Sequence, residues 1–138
     1  MKKLLFVAAM IAGLTACAAR DTTHYLPIEE VYQAALQDGT LDPKIKMYFG
    51  RSVGGKVVET ATTNKKTNAV NKTDQEACRW VMKSALIQLQ SKAKSLDVSK
   101  VSNIQSYYKK KVYNSTTQYE CHAGRTIAGV ALKADFIK

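Results

Sequence analysis

Proline and glycine are scarce in this chain, two and seven among 138 residues, which excludes collagen-like repeats and Pro-rich linkers. Three cysteines are too few for a disulfide-dense miniprotein. Negative charge is short: 11 Asp and Glu stand against 21 Lys and Arg, a formal net charge of +10. No apolar run reaches the ~18 residues of a spanning helix. No H-E-x-x-H occurs, and no complete G-x-x-x-x-G-K-[ST], so the zinc-protease and phosphate-loop chemistries lack their frames. What is present is 46% hydrophobic and 23% charged, the composition of one folded domain.

Lys2 and Lys3 precede eleven apolar or Gly residues, Leu4 to Leu14, the positive and apolar regions of a secretory signal. Leu14-Thr15-Ala16-Cys17 then resembles the bacterial lipobox. That resemblance implies cleavage before Cys17, a diacylglycerol on its thiol and an acyl chain on its new amine. Cys17 is thus the expected lipid attachment, and several acyl chains anchor durably where one does not. An ordinary signal peptide ending near Ala19 is the alternative. The expected organisation is a signal-peptide helix over 1–16, a tether over 17–25 and a single periplasmic domain over 26–138. Cleavage removes Lys2 and Lys3 and leaves 19 basic against 11 acidic side chains. In proteobacterial lipoproteins Asp after the Cys favours the inner membrane. By that resemblance Ala18 points to the outer membrane, facing the periplasm.

Leu26 to Val31 admits a short helix with Pro27 in its first turn, and Glu29-Glu30 reads as its solvated start. Lys44 to Phe49 alternates polar and apolar and predicts a strand. Gly54-Gly55 is a turn, and β-branched Lys56 to Thr63 reads as the partner strand. Polar, basic Asn64 to Asn71 reads as a loop. Thr73-Asp74-Gln75-Glu76 is a capping box. The helix after it, to about Leu96, buries a stripe of Cys78, Val81, Ala85, Leu89 and Ala93, with Lys83, Gln90 and Lys94 on its other side. Lys100 to Tyr113, Gln118 to Ala123 and Thr126 to Ile137 predict further strands. The fold class expected is α+β, one long helix on a largely antiparallel sheet.

In an oxidising compartment Cys78 and Cys121 read as a disulfide. The alternative is a metal held by Cys78, Cys121 and His122, with His24 as a fourth group. Its spacing is not that of structural zinc, and adjacent strand residues point to opposite faces. No cofactor is expected. Lys109-Lys110-Lys111, beside Tyr107, Tyr108 and Tyr113, reads first as a solvated, edge-protecting face and second as a contact for an anionic envelope surface. Stacking and phosphate contact could also serve nucleic acid, but the compartment argues against that partner.

Several strings, among them His24-Tyr25-Leu26-Pro27-Ile28-Glu29-Glu30-Val31, Glu76-Ala77-Cys78-Arg79-Trp80 and Tyr119-Glu120-Cys121-His122-Ala123-Gly124, resemble a family of small proteobacterial lipoproteins often labelled "excinuclease ATPase subunit". The label implies a DNA-repair accessory, for which this chain carries no matching parts. Thr73 to Ile137 is more distantly similar to YbjQ-type domains named for heavy-metal binding and to the RcsF outer-membrane lipoprotein. At Leu96-Asp97-Val98, Asp97 stands where those families place the Gly that eases a left-handed helix end. The resemblance implies a helix, a strand, a hairpin and a final strand. It carries over neither the stress sensor's second disulfide nor a metal-ligand set. The expectation is a non-enzymatic envelope lipoprotein with a binding or sensing domain. Its partners are the membrane, through the lipid, and an envelope protein or anionic envelope polymer.

Overall fold

A computed structural model describes residues 20–138. The expected signal peptide (1–16) and Cys17 lie outside the described residues. The elements run β1 (Thr22–Pro27), α1 (Ile28–Gln37), β2 (Lys46–Phe49), β3 (Val57–Asn68), α2 (Asp74–Ser95), β4 (Lys100–Ser106), β5 (Gln118–Ala123) and β6 (Ile127–Ile137). Among the described residues the fold is α+β, with a short α-helix and a long one and a six-stranded, mostly antiparallel sheet in the order β1-β5-β6-β4-β2, with β3 pairing β6. Among these strands only β2 and β4 run parallel.

Strand β6 organises the sheet because one of its faces is apolar along its whole length. Ala128, Val130, Leu132, Ala134 and Phe136 alternate onto one face and are buried. That face receives α2, whose Cys78, Val81, Met82, Ala85, Leu86, Leu89 and Ala93 form the facing stripe. Each fully buried aliphatic side chain here contributes about 1.5–3 kcal/mol. The opposite face of β6 carries Ile127, Gly129, Ala131, Lys133 and Asp135; it meets the Tyr107–Lys110 segment rather than α2.

The ends of α2 follow from local chemistry. Thr73 Oγ1 accepts from the Glu76 amide at 3.1 Å, satisfying one exposed donor. At the other end, Val98 N donates to Ala93 O and Asp97 N to Lys94 O, the paired bonds of a Schellman motif. Asp97 therefore occupies the left-handed position, at φ 54°, that glycine usually fills.

Four expectations are corrected. Thr22 to Tyr25, assigned to the tether, are paired with β5, from Thr22 opposite Ala123 onward. β2 and β3 are not partners: β2 joins β4, and β3 runs beside β6 from Val57 to Asn68, through the polar stretch read as a loop. Threonine-rich Ala61 to Thr67 tolerates an extended edge, where lysines can reach water. Gln90 is buried rather than solvated: its Oε1 accepts from Asp42 N at 2.6 Å and its Nε2 donates to Thr40 O at 3.1 Å, fastening the loop after α1. Lys109–Lys111 do not lie on a strand. Tyr108–Lys110 form one tight helical turn in which Lys109 and Lys110 have φ of 52° and 64°.

Candidate functional site

Cys78 and Cys121 form the disulfide, with Cα atoms 5.9 Å apart. Both residues are buried, and the bridge joins the second turn of α2 to β5. The two sulfurs are bonded to each other and His122 points from the other face of β5, so the three residues of the metal alternative are not brought together. Among the described residues no cluster of three or more His, Cys, Asp or Glu side chains is arranged to hold a metal ion.

The most developed cavity, about 330 Å³, opens on the sheet face opposite α2. Its floor is Gly129 of β6 with the rings of Tyr108 and His122, stacked at 3.5 Å between centroids and 10° between planes. Strand alternation places His122 there, opposite Gly129, while Cys121 and Ala123 face the core. Tyr108 lies over residue 129, where even a Cβ would be in ordinary packing contact with its ring at 3.9 Å. His122 is fixed on both sides. Its Nε2 lies 2.5 Å from Glu120 Oε2, and its Nδ1 lies 3.3 Å from Asp21 Oδ1 and 3.4 Å from Thr23 Oγ1. A carboxylate only accepts, so the ring donates to whichever one it bonds.

Three cations surround the opening: Arg20, Lys66 and Arg125. Lys66 reaches it from β3, directly opposite Gly129, and Arg125 from the turn between β5 and β6. Arg20 is held in place. Its two terminal nitrogens donate to Asp74 Oδ2 and Oδ1, both at 3.0 Å, and one also donates to Gly124 O at 2.9 Å. His24 Nε2 lies 2.8 Å from the same Asp74 carboxylate. The Arg20 guanidinium, and then His24, hold the Asp74 carboxyl below the usual carboxylate range. Gly124 is required at this crossing, because a Cβ would stand 2.9 Å from the Arg20 carbonyl oxygen.

The Lys109-Lys110-Lys111 cluster lies beside this cavity rather than in it. The Lys109 ammonium sits 5.7 Å from the centre of the Tyr108 ring, and Lys109 and Lys110 line a second cavity of about 290 Å³ with Tyr107 and Asn64. The sequence marks the basic stretch that holds Lys65-Lys66 and the pair Tyr107-Tyr108 but not their meeting with Arg20 and Arg125. Those pairs are far apart in the chain, and only the β3–β6–β5 register unites them.

The string Gly50-Arg51-Ser52-Val53-Gly54, which the sequence reading passes over, spells the G-x-S-x-G of hydrolase nucleophile elbows. With Gly55-Lys56 it also approaches a phosphate loop, with Val57 in place of the metal-binding hydroxyl. Both motifs need a strand before and a helix after, and here the segment leads into strand β3. Ser52 is exposed, and the segment is pinned by Asn103 N donating to Arg51 O and Val53 N to Ser102 Oγ. It is a connection, and neither motif is realised.

The cavity can therefore hold an anion against a flat aromatic floor. No family model, curated protein or solved structure matches the chain.

Proposed function

We propose that this chain is an envelope lipoprotein, acylated at Cys17 and facing the periplasm from the outer membrane, whose domain acts by binding rather than catalysis. The observation that carries the reading is the buried Cys78–Cys121 bridge. A structural disulfide persists in an oxidising compartment, and the Leu14–Cys17 string supplies the route there. The binding reading is supported by the basic cavity, in which the nearest partners of His122 are the carboxylates of Glu120 and Asp21, with the Thr23 hydroxyl farther off at 3.4 Å. The domain would meet an envelope protein or an anionic envelope polymer, with no role for nucleic acid.

The finer fold reading, a YbjQ/RcsF-like domain, is part of the same proposal. It draws on the order α2, β4, a hairpin of β5 and β6, and on the left-handed Asp97. The test of the whole reading is Cys17→Ala in cells fed labelled palmitate. The label should vanish from the protein, and the chain should leave the washed membrane pellet. Undiminished label in that variant would overturn it.

A further inference from the structure

The cavity lies at the end of the domain where the chain emerges from the expected tether, and this position suggests its occupant. Arg20 lines the opening and is fastened there through Asp74 and Gly124. Three peptide steps separate Arg20 from Cys17, at most about 11 Å of extended chain. A glycerolipid on Cys17 would hold the opening at the level of the surrounding headgroups. Resting on the lipoprotein reading, we propose that the Arg20–Lys66–Arg125 cavity binds the phosphate of an anionic phospholipid in the membrane that anchors the protein.

Three further observations support that occupant. The two free-reaching cations, Lys66 and Arg125, are exposed, and Lys72 stands on the adjoining loop with its ammonium on Asn68 O at 2.9 Å. Arg20 commits three N–H donors to Asp74 and Gly124 and keeps two of its five. Two aliphatic side chains stand out at the same end, Val70 at 47% and Ile127 at 53% exposure, brought together by the Ala69 N to Thr126 O bond. Aliphatic groups ringed by basic ones match a bilayer's interfacial zone, where the apolar parts enter and the cations stay with the phosphates. The cavity volume lies at the lower end of small-ligand sites, sized for a headgroup and not for an acyl chain. Asp21 is the one carboxylate at the opening not bonded to Arg20, and it faces His122.

The test uses the acylated chain purified from membranes and placed in nanodiscs of phosphatidylcholine, alone or with about one third phosphatidylglycerol. Co-elution with both discs reports the anchor. Amide hydrogen exchange at residues 124–127 and 69–72 reports the headgroup contact, and should slow only when phosphatidylglycerol is present. Each basic residue near an anionic surface changes binding about fivefold, so Lys66→Gln with Arg125→Gln should weaken the protection about 25-fold. Lys66→Glu with Arg125→Glu, which reverses both charges, should give a greater loss. Lys56→Glu, just before the far end of β3, should change nothing. A chain that stays in the discs with exchange indifferent to phosphatidylglycerol overturns this proposal while leaving the anchor standing. A chain that fails to enter either disc overturns the lipoprotein reading itself. Equal protection by soluble glycerol phosphate in plain phosphatidylcholine discs would assign the site to a free phosphate instead and refute the lipid.

Discussion

Loss of the Cys78–Cys121 bridge should lower the melting temperature by about 16 °C. The two cysteines are 43 positions apart. Closing such a loop removes about 13 cal/mol/K from the unfolded chain, or about 4 kcal/mol at 25 °C. A domain of about 120 residues unfolds with an entropy near 250 cal/mol/K, which converts that loss into about 16 °C. The fall should be uneven across the molecule. β5 pairs with β6 through only His122–Gly129 and Ala123–Ala128, whereas β3 pairs with β6 along its whole length. The bridge is therefore the covalent fastening of the β1–β5 pair to α2, beside the buried side chains of Tyr119 and Ala123. The assay is thermal melting of Cys78→Ala, Cys121→Ala and the double variant, with and without reductant, together with amide exchange. The double variant should melt no lower than either single one, and reductant should bring the wild type down to it. Exchange should quicken first in β1 and β5. A fall of under about 4 °C, or a wild-type melt sensitive to chelator and not to reductant, would refute the reasoning.

Two other perturbations test the core and the surface. Tyr119 is buried to 1% exposure, and its hydroxyl has no partner among the described residues; burial pushes its pKa well above the ordinary tyrosine value. Tyr119→Phe should leave stability unchanged or raise it by about 1 kcal/mol in a denaturant titration, and a loss greater than that would mean the hydroxyl is bonded. Asp38 is held down to about 2 by hydrogen bonds from the Lys83 ammonium and Thr40. Because its folded pKa is depressed, its contribution is complete above about pH 4 and is lost as the pH falls through 2. Asp38→Asn should flatten that part of the stability profile, and an unchanged acid limb would refute the assignment.

The parts of the fold that were legible in the sequence are those fixed by neighbours along the chain. The Thr73 cap, the Cys78-to-Ala93 stripe and the span of β5 all follow from patterns within a few residues. Gln90 was misplaced because a glutamine's polarity says nothing about two backbone groups, at Thr40 and Asp42, awaiting it in the interior. The pairing of β3 was misplaced because a turn of two glycines suggests a hairpin with the preceding strand, while the long β6 offers a better partner. The disulfide was legible from the count of cysteines and the expected compartment. The cavity was not, since its cations come from residues 20, 66 and 125, and no local pattern marks their convergence.

The same bridge decides how the domain would yield if pulled against its anchor. Tension from Cys17 would arrive first at the Arg20–Asp74 pair and then at Thr22, the outer rung of β1. Rungs loaded from one end open singly, so β1 would peel from β5 from Thr22–Ala123 toward Pro27–Gln118. Past Pro27 the load would pass into α1, seated on the core through Ile28, Val31 and Ala35, while β5 keeps its place because it is covalently joined to a 22-residue helix. The domain is thus built as a short tear strip on a fixed backing: force can lengthen the leash by one strand without breaching the interior.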